Sequence, residues 1–363
     1  MTAANVAKID KTMDALVLTG VNEFEVRSVE VPEPGRLEVL CRVEAVAICG
    51  TDPEIIQGHF PGRWPRAYPF IPGHEWSGVI VKLGEAVEGF GLRVGDRVAG
   101  TSHAGCGICR MCTTGRYNLC ENYGREEIGH RQYGHYVNGA YAQYIRCSIK
   151  TIFKIPDALP FAEAALVDPA SIALHSVKRG QIQPGDTVAI VGAGPLGLLA
   201  MQCAFALGAA RVIVVGHGER LQRVEALGGE AVDNTQEDGV KAVRRLTDGR
   251  GADLTIDCAA RGQTPRESVE MTRKGGRVVL TGVPLESVVL PLQRLVLEEM
   301  DVYGVRANRG TCEEVIPLMA SRRIQVSSLI THTFPLREFR VAYDTFTKRI
   351  DGALKVIVEP NPA

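Results

Sequence analysis

Short β-branched and apolar runs, punctuated by glycine and proline, fill the first third of the chain: residues 15–18, 37–46, 77–83 and 97–100 read as strands bounded by turns. That rhythm predicts a β-rich, barrel-like region. From about Pro169 the pattern changes to strands at 187–191, 211–215, 254–257 and 277–281, with helices at 195–207 and 219–227 between the first of them. Strands alternating with helices predict a parallel sheet covered on both faces. After residue 311 helices around 313–320 and 336–348 precede a last strand at 354–358, which fits a return to the first region. The expected class is α/β, with one domain at 1–167 plus 308–363 and a second at 168–307.

Composition narrows the partners. The chain has 363 residues, 45% of them hydrophobic, and 41 Lys and Arg against 42 Asp and Glu, a net charge of -1. Nucleic acids and anionic membrane surfaces require a basic field that this balance does not supply. The longest apolar stretches, such as 187–199, are broken by glycine and fall short of the roughly 20 residues that span a bilayer. The first dozen residues, MTAANVAKIDKT, lack the apolar segment of a secretory signal and read as a short frayed extension. The expectation is a cytoplasmic protein that binds neither nucleic acid nor membrane.

One loop points to a nucleotide. The strand at 187–191 runs into Gly192, Ala193, Gly194, Pro195, Leu196 and Gly197 and then into an apolar helix. In this strand-loop-helix context the first glycine permits a tight turn, the second lets the backbone approach a pyrophosphate, and the third lets helix pack on strand. The helix N-terminus adds amide donors and positive dipole. At the end of the next strand, where an acidic residue would bind the adenosine ribose, the chain has Gly216 followed by His217, Gly218, Glu219 and Arg220. Without an acid there, NADP is favoured over NAD, with Arg220 as the phosphate ligand and Arg223 or His217 as secondary candidates. The alternative is that Glu219 supplies the acid after a loop shift, which restores NAD.

Cysteines point to metal. Of ten, Cys106, Cys109, Cys112 and Cys120 crowd into fifteen residues with Gly105, Gly107 and Gly115 among them. Four thiolates at that spacing predict a closed, structural zinc site. A nucleic-acid-reading zinc module is disfavoured, because no basic helix or aromatic platform accompanies the cysteines. A second, dispersed set comprises Cys49 in ICGTD, His74 with Glu75 in PGHE, and Asp168 in ALVDPASIALHS. Three protein ligands and an open position are what a catalytic zinc needs. Read alone, Asp168 is equally well a helix cap.

ICGTD, PGHE, the four-cysteine lobe, VDPASIALHS and GAGPLG occur in the order and spacing of the zinc-dependent medium-chain alcohol dehydrogenases, and the chain resembles that family from about Met13 to Pro360. The segment from Leu166 to Gly197 is most similar to the sorbitol and polyol branch, in which a carboxylate stands where other members place a third cysteine ligand. The resemblance implies a GroES-like β-rich catalytic domain and a Rossmann doubly wound domain, in a homo-oligomer, dimer or tetramer. It implies one catalytic and one structural zinc, with Cys49, His74 and Asp168 at the catalytic ion and Glu75 able to coordinate it directly or through water. The activity it implies is hydride transfer between NAD(P) and a secondary alcohol of a polyol, sugar or cyclitol, or the corresponding ketone. CGTDPEI is also similar to zinc-dependent glucose dehydrogenases, so an aldose is an alternative substrate; a non-catalytic nucleotide-binding relative is the alternative from another class. Thr51 is then placed to pass the substrate proton outward, or is a loop hydroxyl bonded to its own backbone. Glu54 stands where the family often has a relay histidine, and its two readings are proton relay and surface residue. Arg306 and Asn308 are further candidates for lining the site, a solvated arginine being the alternative.

Overall fold

Strand Glu38–Ala47 organises the first of two units, because it is buried along almost its whole length and pairs with three neighbours. The structure, a computed structural model, describes residues 9–60, 62–284 and 286–362. The first unit comprises Met1–Asp168 and Val326–Ala363, the second Pro169–Gln325. In the first, Glu38–Ala47 lies antiparallel to Glu75–Leu83, Tyr144–Ser148 and Lys355–Glu359 within a seven-stranded sheet completed by Arg97–Gly100, Ile152–Lys154 and Ile330–Pro335. Val39, Cys41, Val43, Trp76, Ile80 and Val356 form its core.

Register in this sheet positions the chemistry. Ala47 pairs with Glu75 and also with Ile357. The chain therefore leaves one strand toward Cys49 at the place where it enters another from His74, and the C-terminal strand brings Lys355 to the same end. A hairpin of Thr12–Gly20 with Glu23–Glu30 adds a two-stranded sheet. Of the N-terminal extension read in the sequence, residues 1–8 lie outside the described residues.

The second unit is a six-stranded sheet in the order Glu230–Asp233, Arg211–Gly216, Thr187–Val191, Ala252–Asp257, Thr272–Leu280, Asp301–Gly304, with every neighbouring pair parallel. Thr187–Val191 and Ala252–Asp257 are buried at every position, as strands covered on both faces must be. Strand order reverses beside Thr187–Val191, which places a topological switch point at the carboxyl end of that strand.

The return to the first unit comes at Val326 rather than at 308. Helix Cys312–Ala320 stays with the second unit: the Thr311 hydroxyl donates to the Ser171 carbonyl at 2.7 Å, and Lys178 pairs with Glu314 at 2.6 Å. The Gln325 amide closes the unit on Gln202 Oε1 at 2.6 Å. Asp168 falls in the first unit. Among the described residues no helix is long and apolar enough to cross a membrane.

Candidate metal centres and nucleotide loop

The four sulfurs of Cys106, Cys109, Cys112 and Cys120 lie within 4.8 Å of one another. Cys106 Sγ is 3.9 Å from Cys112 Sγ, and Cys109 Sγ is 3.9 Å from Cys120 Sγ. Tetrahedral ligands at the usual Zn–S distance are separated by about 3.8 Å, so the lobe is shaped to zinc. Donors converge on the sulfurs: the amides of Ile108 and Cys109 and the Asn122 side chain all reach Cys106 Sγ at 3.4 to 3.5 Å. Burial alone would raise the Cys106 thiol, but these bonds outweigh it and bring it to about 6, which favours the thiolate that zinc requires.

The second cluster is built from three donors of different softness. One ligand atom each from Cys49, His74 and Glu75 lies within 4.8 Å of the others, with His74 and Glu75 buried. Asp52, fully buried in the first turn of helix Thr51–Ile56, holds this group together. Its Oδ2 accepts from the Cys49 amide at 2.9 Å and from the Tyr141 hydroxyl at 2.8 Å, while Oδ1 lies 3.5 Å from His74 Nδ1. Among the described residues His74 Nδ1 and Asp52 Oδ1 are otherwise without a hydrogen-bond partner. A carboxylate facing one imidazole nitrogen leaves the other for a metal.

Electrostatics agree with that reading. Burial opposes charge on His74, yet Cys49 and Asp52 together push its imidazole well above the ordinary range, so the pocket attracts positive charge. Glu75 is paired with buried Lys355, whose ammonium also donates to the Ile48 carbonyl at 3.3 Å. One sulfur, one nitrogen and one oxygen ligand with a position left open fit a catalytic zinc.

Asp168 stands beside this donor set and not in it. It occupies the first turn of helix Val167–Arg179, is buried, and accepts from the Ser102 backbone amide. Burial raises its carboxyl to about 7, with Glu75 adding to the rise while His74, Lys355 and the Ser102 amide counter it. The carboxylate that converges with Cys49 and His74 is Glu75, because Glu75 begins the strand paired to Ala47. Thr51 Oγ1 accepts from the Cys49 thiol at 3.7 Å. Glu54 is paired with His59, five residues further along the chain. A line of rings runs outward from His74: His135 at 4.5 Å between centroids, Trp64 at 4.9 Å from His135, and Phe60 at 4.7 Å from Trp64.

In the second unit Gly192 has φ +106°, and the Gly192 amide donates to the Val215 carbonyl at 2.8 Å. A Cβ on Gly197 would lie 1.8 Å from the Gly192 carbonyl oxygen, so no larger residue fits where the helix meets the turn. Gly194 precedes helix Pro195–Ala206, with Pro195 and Leu196 in its first turn. Gly216 ends its strand against Ala193: a Cβ there would lie 2.8 Å from the Ala193 side chain. His217 is exposed. Arg220 opens helix Arg220–Ala226, and its Nη1 lies 3.9 Å from where a Cβ on Gly194 would be. Arg306 and Asn308 also belong to this unit, Asn308 fully buried, whereas every metal donor is in the first.

Residues 35–157 match the alcohol dehydrogenase GroES-like domain, and residues 195–321 match the zinc-binding dehydrogenase family. The chain is 33% identical to the sorbitol dehydrogenase of Bacillus subtilis (strain 168), over 97% of its own length and 99% of the relative's. It belongs to the zinc-dependent medium-chain alcohol dehydrogenases.

Solved structures agree with that membership. A zinc-binding dehydrogenase of Sinorhizobium meliloti 1021 bound to NADP superposes with a TM-score of 0.88 at 32% identity, covering 97% of this chain and 100% of that one. A short chain alcohol dehydrogenase of Escherichia coli CFT073 complexed with NADH gives 0.88 at 29% identity, covering 96% and 100%. As a medium-chain alcohol dehydrogenase the protein is a zinc-binding, NAD(P)-dependent enzyme for a small-molecule alcohol, with a structural and a catalytic zinc site. Sequence reasoning missed Asp52 and Lys355. Asp52 lay within the quoted ICGTD motif, and Lys355 was visible as the single cation of the final strand.

Proposed function

We propose that the protein oxidises a secondary alcohol of a polyol with NADP, through Cys49, His74 and Glu75 as the catalytic zinc ligands. The convergence of those three donors in a buried, electronegative pocket carries the reading. Zinc supplies Lewis-acid polarisation of an alcohol oxygen, and the nicotinamide nucleotide supplies the hydride acceptor. Asp52 orients His74, and Lys355 holds Glu75 in the pocket. Thr51 Oγ1 accepts the substrate proton, and Glu54 with His59 carries it to solvent. Asp168 shapes the electronegative wall beside the donors.

A polyol is supported by similarity to sorbitol dehydrogenase and by the Phe60, Trp64 and His135 rings leading to His74, whose faces suit C–H groups of a sugar alcohol. NADP is supported by Gly216, which presents no carboxylate to repel a 2′-phosphate, and by Arg220 beside Gly194. A homo-oligomer is supported by strand Asp301–Gly304 at the sheet edge and by a run of exposed apolar side chains just before it.

The test is nucleotide reduction by the zinc-loaded protein with sorbitol, other polyols, simple alcohols and glucose. The expected result is turnover of polyols with a higher kcat/KM for NADP than for NAD, and an Arg220→Ala variant whose KM rises far more for NADP than for NAD. No reduction with any secondary alcohol refutes the polyol reading. Equal effects of Arg220→Ala on both nucleotides refute the phosphate contact, and preference for glucose favours an aldose dehydrogenase.

A further inference from the structure

The nucleotide unit carries a second constellation at the other end of its sheet. The glycine loop and Gly216 lie at the carboxyl ends of the parallel strands, whereas a groove of about 500 Å³ opens at the amino ends of Ala252–Asp257 and Thr272–Leu280. Five cations line it: Arg244, Arg250, Arg273, Lys274 and Arg294, with Glu298 as the acidic lining residue. They come from a helix end, a turn, a strand start and a second helix, so no single amphipathic face accounts for them.

Main-chain carbonyls fix the floor of the groove. Arg244 Nε and Nη2 donate to the Glu270 carbonyl at 3.1 and 2.9 Å; Arg294 Nη1 and Nη2 donate to the carbonyls of Val269 and Thr272, both at 2.7 Å. Carbonyls orient a guanidinium without cancelling its charge. Among the described residues two carboxylates pair with the group: Glu298 with Arg294 at 3.0 Å, and Asp253 with Arg273 at 2.6 Å and with Arg250 at 3.6 Å. Lys274 pairs with no carboxylate among the described residues and is exposed at the rim. Five positive charges against two negative ones leave an excess of three. Capping the carbonyl end of helix Thr264–Met271 explains Arg244 and Arg294. It does not explain Arg250, Lys274 or the space between them.

We propose that this groove binds an anion bearing two adjacent phosphoryl groups. Arg244 and Arg294 have every guanidinium nitrogen engaged, Arg244 Nη1 on the Gly249 carbonyl at 3.1 Å, and so supply fixed positive charge rather than a free fork; Lys274 and Arg250 are left to meet phosphoryl oxygens directly, and a single oxyanion would leave part of the surplus charge unanswered. The site is separate from the dinucleotide crevice, and its occupancy is independent of the dehydrogenase reaction.

Calorimetric titration of inorganic pyrophosphate into the zinc-loaded full chain, with the nicotinamide nucleotide saturating and ionic strength held with chloride, tests the proposal. The expected result is one saturable site whose affinity falls about tenfold in Lys274→Glu and again in Arg250→Glu. Lys274→Met, an exposed change of similar length with an unaltered unfolding midpoint, is expected to weaken binding in the same direction. Absence of saturable binding, unchanged affinity in all three variants, or displacement of pyrophosphate by the nicotinamide nucleotide would overturn it.

Discussion

Asp52 divides its two oxygens between holding a loop and orienting a ligand. Oδ2 ties the Cys49 amide and the Tyr141 hydroxyl into one network, and Oδ1 faces His74 Nδ1. Outer partners of this kind set ligand orientation, and their loss typically lowers metal affinity about 10- to 100-fold. Asp52→Asn is therefore expected to release the catalytic zinc to a chelator far sooner than the parent protein while the cysteine lobe keeps its ion. Asp168 makes a contrasting case, since its carboxylate stands outside the donor group. Asp168→Asn is expected to retain both zincs and lose turnover; metal analysis finding a single zinc would move Asp168 into the coordination shell in place of Glu75.

At the scale of elements, the parallel sheet is braced by charged pairs at the amino ends of its inner strands. Asp253, in strand Ala252–Asp257, accepts from Arg273 at 2.6 Å and from the Thr187 amide at 2.8 Å. Burial raises its carboxyl, but these bonds and the charges of Arg250 and Arg273 outweigh burial and hold it below the usual aspartate range. A depressed value means stability that is fully present above the unfolded pKa of about 3.9 and lost as pH falls through the folded value. Asp253→Asn is expected to cost about 1–2 kcal/mol at neutral pH, and the gap in urea midpoints should close below pH ~4. A gap independent of pH would assign the cost to packing. Much of this architecture was legible in the sequence, because buried parallel strands read as continuous apolar runs: Thr187–Val191 appears with the bounds read from its pattern. Strand Glu23–Glu30 escaped, since its charged alternation resembles a loop when its pairing with Thr12–Gly20 is unseen. The four-cysteine lobe was legible because its spacing is local. Glu75 was a metal candidate only through the resemblance, because its convergence with Cys49 and His74 depends on the register of Ala47 with Glu75, which two distant strands set together.

For the whole molecule, strand Asp301–Gly304 lies at the edge of its sheet and pairs on one side only among the described residues. Val283, Val289, Leu292, Val296 and Leu297, exposed by 67% to 78%, precede it in the chain. A surface of this kind is expected to be covered by a second copy, so sedimentation should give a dimer or tetramer, and charged substitutions at Leu292 and Val296 should shift it toward monomer. A monomeric parent protein would contradict that expectation. The central claim is that Cys49, His74 and Glu75 hold the zinc on which turnover depends, apart from the zinc of the cysteine lobe. Its most direct test is zinc content measured together with alcohol-dependent nucleotide reduction in purified Cys49→Ala. The account predicts one zinc retained per subunit and turnover abolished; two zincs with turnover preserved would contradict it.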